Sequence, residues 1–316
     1  MNDKKIEYRG FWDIQRQYII GLGEMKFGDG TIYQGQIANK TFHGKGRMTR
    51  PNGDIYQGDY VNGEANGHGV FVDAHGSVYD GQWRNDKQHG HGVEHWYDDG
   101  LMRYEGDYTD GHKTGYGKFE FEGNTYEGQF KDGKFHGQGK YFFADSGKIY
   151  RGSFEDNRIH GKGIMIYPDG TMYNGEFKFD KLDGYGVMQS PNGNRYMGTF
   201  KDDMKEGNGI WVDISTQTKR QGTWVKDKRV NWSGAEIATT LLTYGQLHEH
   251  GEFMGEPEMQ DFKGANGAGR WKRVSKILTP QLQGAKAFRK SAMVTGLQPL
   301  QFAAQTTSDE NVNPVL

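Results

Sequence analysis

The sequence predicts an all-β protein: an elongated, single-layer antiparallel meander of about ten repeats with two strands each, followed by a short, partly helical C-terminal extension. Three observations carry this prediction. A Tyr-x-Gly step recurs from near the start to about residue 230. A Gly-x-Gly step recurs between its copies at a nearly fixed interval. Turn-forming residues separate the two.

The first step appears as Tyr8/Gly10, Tyr33/Gly35, Tyr56/Gly58, Tyr79/Gly81, Tyr104/Gly106, Tyr126/Gly128, Tyr150/Gly152, Tyr173/Gly175 and Tyr196/Gly198, and Arg220/Gly222 is a copy without its tyrosine. The second starts at Gly21, Gly44, Gly67, Gly90, Gly115, Gly137, Gly161, Gly184 and Gly207, at spacings of 23, 23, 23, 25, 22, 24, 23 and 23. A period in this range marks a repeat architecture, so residues 1–230 read as one array and 231–316 as an extension.

Composition agrees. Glycine, at 49 of 316 residues, is more than twice as frequent as usual, and only 34% of residues are hydrophobic. Such chains are commonly disordered, yet this one holds 18 Tyr, 18 Phe and 7 Trp in register with the glycines, which argues for ordered β-structure with a thin core. A net charge of −2 gives no bulk attraction to nucleic acid or to anionic membrane. The absence of cysteine excludes disulfides and thiolate zinc sites. The opening MNDKKIEYRG has no apolar signal core, and no run of about 18 apolar residues is present. A soluble cytoplasmic protein is the expectation.

Within each copy the period is two. Tyr126, Gly128 and Phe130 fall on one side of a strand, with Glu127 and Gln129 on the other. Gly115, Gly117, Phe119 and Phe121 repeat the device, with Lys118 and Glu120 opposite. The apolar set is expected on one face and the polar set on the other, each tyrosine lying flat over bare glycine backbone. Hairpin dipeptides are expected at Asp29-Gly30, Asn52-Gly53, His75-Gly76, Asp99-Gly100, Glu122-Gly123, Ser146-Gly147, Asp169-Gly170 and Asn192-Gly193, because Asx-Gly pairs accept positive φ. Val61-Asn62-Gly63, Thr109-Asp110-Gly111, Lys131-Asp132-Gly133 and Lys201-Asp202-Asp203 read as turns too. Two strands per copy at about 4.8 Å spacing give a sheet of roughly 95 Å. One copy departs from the pattern: around Trp96–Tyr104 it is two residues longer, and Glu94 stands where others carry Met25, Met48, Phe71, Phe119, Tyr141, Met165 or Met188.

After Trp224 the pattern stops. Ser233-Gly-Ala-Glu236 resembles a capping box, with Trp232 placed to staple onto Ile237, which predicts a helix over about 234–244. A second short helix is expected at Pro280, capped by Thr279. Residues 263–290 carry eight Lys or Arg, and no acid follows until Asp309. Lys263, Arg270, Trp271, Lys272, Arg273 and Lys276 combine charge with an aromatic anchor, suited to docking on an acidic protein surface such as tubulin. Anionic lipid is the alternative, though the charge is thinly spread.

Catalytic signatures are missing. No Gly-x-Gly extends to a dinucleotide fingerprint, and no P-loop or Gly-x-Ser-x-Gly elbow occurs. His43, His89, His136 and His160 each precede a Gly-x-Gly step, which spaces them along the sheet rather than converging them on a metal. His89, His91 and His95 cluster, and His248-Glu249-His250 lacks a helical i, i+4 pair, so neither metal nor cofactor is expected.

The alternation of Tyr-x-Gly-x-aromatic and Gly-x-Gly steps resembles the MORN repeat (membrane occupation and recognition nexus). The resemblance implies one of two settings. Some MORN arrays precede a kinase or methyltransferase domain, for which residues 231–316 carry no signature. Others are mostly repeats and act as scaffolds, as in radial-spoke heads, other ciliary and sperm proteins, junctophilins and protist cytoskeletal proteins. This chain is similar to the second group. The resemblance therefore implies a non-catalytic scaffold of the ciliary or flagellar axoneme, with cytoskeletal proteins as partners. A phosphoinositide-binding adaptor between membrane and cytoskeleton is the alternative. The tyrosines and glycines of the repeats would hold the sheet or line its groove, and the outer strands at Tyr8–Trp12 and near Trp224 offer edges for self-association.

Overall fold

A computed structural model of the chain describes residues 6–13, 15, 18–96 and 102–239. They belong to two compact units that divide between Glu122 and Gly123. Each is an antiparallel meander of successive strands, except that at the C-terminal end both β20 and β21 pair with β19.

The N-terminal unit holds ten strands: β1 (Glu7–Asp13), β2 (Tyr18–Lys26), β3 (Ile32–Ala38), β4 (Thr41–Thr49), β5 (Ile55–Val61), β6 (Glu64–Val72), β7 (Val78–Arg84), β8 (Lys87–Trp96), β9 (Met102–Thr109) and β10 (His112–Phe121). The C-terminal unit begins with β11 (Asn124–Lys131), β12 (Lys134–Phe142), β13 (Ile149–Glu155), β14 (Arg158–Ile166), β15 (Met172–Lys178) and β16 (Lys181–Gln189). It continues with β17 (Arg195–Lys201), β18 (Met204–Asp213), β19 (Thr218–Val225), β20 (Lys228–Trp232) and the short β21 (Ile237–Ala238).

Register follows the repeat. In β11 and β12, Tyr126 faces Tyr141, Gly128 faces Gly139 and Phe130 faces Phe135. In β15 and β16, Tyr173 faces Met188, Gly175 faces Gly186 and Phe177 faces Leu182. The pairing shifts just after each of these Gly–Gly pairs, because one residue on the tyrosine strand stands against three on its partner. The first glycine of the Gly-x-Gly step lies in that bulge and takes positive φ, 62° at Gly137 and 60° at Gly115. Gly115 therefore does not continue the face of Gly117 and Phe119, as strict alternation had implied.

The turns also differ from expectation. Two-residue hairpins lie after the tyrosine strands, including pairs without glycine, such as Asn39-Lys40 (φ 50° and 64°), Asp156-Asn157 (47° and 69°) and Asp202-Asp203 (48° and 70°). The Asx-Gly sites form longer loops in which positive φ falls on glycine alone, as at Gly53 (99°) and Gly193 (89°). At the first of these, Gly53 N–H donates to Arg50 O at 2.9 Å and Arg50 N–H to Asp54 O at 2.8 Å. The Asx side chain caps the loop instead. Asn52 Oδ1 accepts Asp54 N–H at 3.1 Å, and Asp169 Oδ1 accepts Thr171 N–H at 2.8 Å. Glu122-Gly123 has both residues at positive φ (48° and 84°), and Asp99-Gly100 lies outside the described residues.

No helix occurs among the described residues. Residues 233–239 hold a bend at Gly234 and the two-residue β21, so the helix expected from residue 234 does not form over this part, and residues 240–244 lie outside the described range. The capping-box residues lose to the sheet: β19 still has an unpaired edge, β20 pairs with Gly222 to Val225, and β21 pairs with Thr218 and Lys219. Trp232 does not staple onto Ile237, which is 57% exposed. It opposes Gly222 instead, and its ring stands where a Cβ on that glycine would approach to 3.0 Å. Trp232 thus takes the part of the tyrosine that Arg220 replaced.

Candidate interaction surface

Each repeat is built around one tyrosine. Gly128 and Gly139 meet so closely that a Cβ on Gly128 would lie 2.5 Å from Gly139 Cα. The Tyr126 ring covers the pair, with Cε2 2.5 Å from where a Gly139 Cβ would stand. Its hydroxyl donates to Gln129 O at 2.7 Å, a carbonyl that the bulge takes out of the ladder. The Gln129 side chain then accepts Gln138 N–H at 2.8 Å, on the other side of the bulge. The same hydroxyl bond, three residues on, is made by Tyr33 (2.6 Å), Tyr56 (3.1 Å), Tyr79 (2.9 Å), Tyr104 (3.0 Å), Tyr150 (3.0 Å), Tyr173 (2.9 Å) and Tyr196 (3.1 Å).

These eight tyrosines are 0–3% exposed. They hold the sheet and leave no ring surface for a partner. Edge-to-face contacts join them into a ladder with the aromatic four residues on. In the C-terminal unit it runs Tyr126–Phe154 (5.0 Å), Phe154–Tyr150 (5.2 Å), Tyr150–Phe177 (5.0 Å), Phe177–Tyr173 (5.2 Å), Tyr173–Phe200 (4.9 Å) and Phe200–Tyr196 (5.3 Å). The N-terminal unit has the same device from Tyr33–Tyr60 (5.2 Å) to Tyr104–Tyr108 (5.3 Å). Burial pushes the phenols of Tyr33, Tyr56, Tyr79, Tyr104, Tyr150 and Tyr173 well upward and that of Tyr196 to about 12, so these seven are neutral at physiological pH.

The partner glycines are packed in the same way on the tyrosine side. Each faces the second glycine of the next Gly-x-Gly step. The pairs are Gly35–Gly46, Gly58–Gly69, Gly81–Gly92 and Gly106–Gly117 in the N-terminal unit. In the C-terminal unit they are Gly128–Gly139, Gly152–Gly163, Gly175–Gly186 and Gly198–Gly209. A Cβ on Gly35, Gly81, Gly106, Gly152 or Gly198 would run into both the opposing Cα and the hydroxyl of the repeat's own tyrosine. The ring occupies the space on that side, so a side chain at these positions has no room there.

Side chains at the turns couple each repeat to the next. Asp86 accepts Ala65 N–H at 2.6 Å, and Asn157, Asp180, Asp203 and Asp227 accept Phe135, Ile159, Leu182 and Lys205 N–H at 2.8 Å each. At the opposite margin Asp54 accepts Ala74 N–H at 3.0 Å, Asn124 accepts Ala144 N–H at 3.0 Å and Asn194 accepts Ile214 N–H at 2.9 Å. Sequence reasoning missed both rows. Their signal is an Asp or Asn recurring at one turn position about 23 residues apart.

Glu94, the irregular residue, faces inward. It opposes Tyr79 and Tyr104, and its Oε2 accepts from Tyr108 Oη at 2.8 Å and from Lys113 Nζ at 2.9 Å. The ammonium lies 4.6 Å from the Trp96 ring centre and 5.2 Å from that of Tyr104. Lys113 itself stands opposite Tyr108, where other repeats place Phe42, Phe135, Ile159 or Leu182. Two core positions have exchanged an apolar pair for an ion pair.

The other face is not uniformly polar, contrary to the alternation argument. In the N-terminal unit it carries an open polar groove of about 570 Å³, lined by Gln34, Lys45, Arg47, Gln57, His68 and Val70, with Gly46 and Gly58 at its floor. Lys45 pairs with Asp59 at 2.6 Å and His68 with Asp80 at 3.0 Å, so both signs of charge are present. In the C-terminal unit the same face holds Ile164, Val187 and Met197, each under 9% exposed, with Ile210 and Val212 packed beside them. Strand β14 had signalled this with three consecutive apolar residues, Ile164-Met165-Ile166. No group of three or more His, Asp or Glu among the described residues is placed to hold a metal. Lys263, Arg270, Trp271, Lys272, Arg273, Lys276, His248, His250 and the helix expected at Pro280 lie outside the described residues.

The family model described as MORN repeat matches residues 33–55, 56–78, 79–100, 104–125, 126–148, 150–172, 173–195 and 196–213, more than half of the chain. This chain belongs to the MORN-repeat family. Every matched MORN copy begins on one of the eight buried tyrosines, so the family pattern and the ring-over-glycine unit coincide. The Tyr8/Gly10 and Arg220/Gly222 copies fall outside the match, yet Gly10 still faces Gly23 and Gly209 still faces Gly222. MORN repeats are generally a non-catalytic interaction and scaffold module. No curated protein matches the chain. Among solved structures it is similar to the wild-type TCP10 domain of Danio rerio CPAP (11% identity, TM-score 0.37, covering 67% of this chain and 99% of that one). It is also similar to the SAS-4 (dCPAP) TCP domain of Drosophila melanogaster in complex with a proline-rich motif of Ana2 (dSTIL), at 16% identity and TM-score 0.31, covering 50% of this chain and 85% of that one.

Proposed function

We propose that this MORN-repeat chain is a scaffold that binds partner proteins through the face opposite its tyrosines, and that its place is in a ciliary or flagellar axonemal assembly such as the radial spoke head. The observation that carries the first half is the 0–3% exposure of the eight repeat tyrosines. One face of every repeat is consumed in holding the sheet, so recognition falls to the other. That face in the N-terminal unit presents a polar groove with exposed Gln34, Lys45, Gln57 and His68 around it. A groove of this kind suits a polar peptide segment, which it can hold through side-chain hydrogen bonds and paired charges. The axonemal assignment is supported by resemblance to MORN proteins that consist mostly of repeats.

The test is affinity capture with mass spectrometry from ciliated cells, using the full chain and a Gln34→Arg/Gln57→Arg variant whose melting temperature is checked first. Axonemal proteins that enrich with the wild type and fall away with the variant support the proposal. Enrichment of axonemal proteins by both equally would remove the groove from it. If neither enriches them and both float with phosphoinositide liposomes at physiological salt, the scaffold reading is overturned in favour of a lipid adaptor.

A further inference from the structure

Strand β1 ends the N-terminal unit with a tyrosine that is enclosed on one side only. Tyr33 stands between Met25 on one neighbouring strand and Met48 on the other, and it is fully buried. Tyr8 opposes Met25 alone, because no other described strand pairs with β1, and it stays 39% exposed. Ile6, just ahead of the strand, is exposed to the same degree. In the C-terminal unit the chain closes its own last edge: β20 and β21 pair with β19, and Trp232 covers Gly222.

A bare strand edge is a template for another strand, and the charges along this one suit β1 of a second copy. Alternate residues of a strand direct their N–H and C=O to opposite edges, so two copies of one edge pair only residues of equal parity. Over residues 6–10 few registers satisfy this. One sets Glu7 against Glu7 and another Arg9 against Arg9, and like charges directly opposite are unfavourable. Registers centred on Ile6 or Gly10 leave most of the segment unpaired. The register centred on Tyr8 engages all five residues: Glu7 meets Arg9 twice, Ile6 meets Gly10 twice, and the two copies of Tyr8 meet each other.

The sheet behind the edge agrees with that register. Within each copy Glu7 opposes Lys26 and Arg9 opposes Glu24. Across the seam the row then reads Lys26, Glu7, Arg9, Glu24, alternating in sign at every step. On the tyrosine side Ile6 lies against bare Gly10, so the two exposed apolar side chains of this edge are covered together. The bulge between Gly10 and Trp12 interrupts the strand beyond this segment and confines the straight edge to it.

We propose that two copies of this chain join through β1 in an antiparallel pair centred on Tyr8 and related by a two-fold axis. The inference rests on β1 and is independent of the groove and of the axonemal role.

Two measurements on the full chain test it. The sequence holds no cysteine, so a single introduced cysteine can form a disulfide only with another copy. In the proposed register the two Tyr8 Cα atoms lie about 5 Å apart, within disulfide reach, and the two Ile6 Cα atoms about 14 Å apart, beyond it. Under mild oxidation Tyr8→Cys should give mostly product of twice the chain mass, and Ile6→Cys at least fivefold less. Equal yields, or no product from Tyr8→Cys, would overturn the proposal. With Tyr8 in place, sedimentation velocity should show the 35.8 kDa chain passing to twice that mass as its concentration rises. Glu7→Arg and Arg9→Glu each put two like pairs in place of two opposite ones and should weaken dimerisation by about tenfold. An equimolar mixture of the two variants pairs opposite charges again and should recover it. A wild-type chain that stays at single mass, or a mixture no better than its components, would equally overturn the proposal.

Discussion

Tyr126 lies across Gly139 so closely that a Cβ on the glycine would come within 2.5 Å of the ring. The pair explains why this family alternates its largest and smallest residues. The glycines remove the side chains that would hold the strands' inner face away from the ring, and the ring covers backbone that no second layer shields. Gly139→Ala must displace Tyr126 or part β11 from β12. We expect a loss of about 2–3 kcal/mol, the usual cost of overpacking. Gln129→Ala, one position beyond Gly128 on the same strand, removes only the acceptor for Gln138 N–H and should cost about 1 kcal/mol. Urea melts of the two variants should separate clearly, and equal midpoints would refute the assignment of faces.

Asp86 gives a pH dependence opposite to the usual acid limb. Burial raises its carboxyl to about 6, against the partial counterweight of the Ala65 N–H bond. The unfolded value is about 3.9. Between these values the folded chain binds more protons than the unfolded one, so this group's contribution is fully present below about 4 and declines as pH rises through about 6. Asn157, at the equivalent turn position, accepts Phe135 N–H at 2.8 Å with no charge to bury. Asp86→Asn should therefore keep the bond and gain on wild type as pH rises from about 4 to about 6, with a level difference above that. Thermal melts at half-unit pH intervals read this directly, and a difference constant with pH would show that Asp86 titrates normally.

Glu94 and Lys113 should behave as a coupled pair. Their side chains are 17% and 21% exposed, so neither charge has ready access to water if the other is removed. Glu94→Met leaves Lys113 unpaired among Trp96, Tyr104 and Tyr108, and a loss of about 2 kcal/mol is expected, below the range for fully buried pairs because some solvent remains. Lys113→Leu should cost a similar amount. The double variant with Tyr108→Phe, which removes the hydroxyl bonded to Glu94, restores the residue types of neighbouring repeats and should recover most of the loss. A double-mutant cycle over Glu94 and Lys113 that closes to within about 0.5 kcal/mol of additivity would refute the coupling.

The legible part of this fold was what repeats with a fixed period: the tyrosines, their glycines and the strand pairing between them. Less legible was everything decided by competition. Asn52 and Asp169 look like type I′ hairpin residues, but their side chains cap the loop while the glycine alone takes positive φ. Ser233 and Glu236 look like a helix start, but the open edge of β19 offers backbone hydrogen bonds that a single short helical turn cannot match. Glu94 was visible as an exception, and its partner Lys113 was not, because the two lie in different repeats and meet only once the sheet is formed. The role of the repeat tyrosines and glycines was left between sheet and groove by sequence. Burial places the rings over the glycine pairs, while Gly58 also lines the groove on the opposite face.

Trp232 closes the array, and its removal should be felt locally. The ring packs edge-on to Trp224 at 6.1 Å, and the guanidinium groups of Arg220 and Arg229 lie 4.9 Å and 4.1 Å from its centre. Through Trp224 it joins Tyr196 at 4.8 Å, the last rung of the tyrosine ladder. In a repeat array, stability is carried by nearest-neighbour contacts, so an end repeat can open while the interior holds. Trp232→Ala should strip Gly222 of its cover, fray β20 and β21, and leave β14–β16 intact. Hydrogen exchange followed by peptide is expected to show protection falling at least tenfold over 218–239 and unchanged over 158–189. A uniform loss across both ranges would mean that the C-terminal unit opens as one cooperative block and that Trp232 is part of its core rather than its cap.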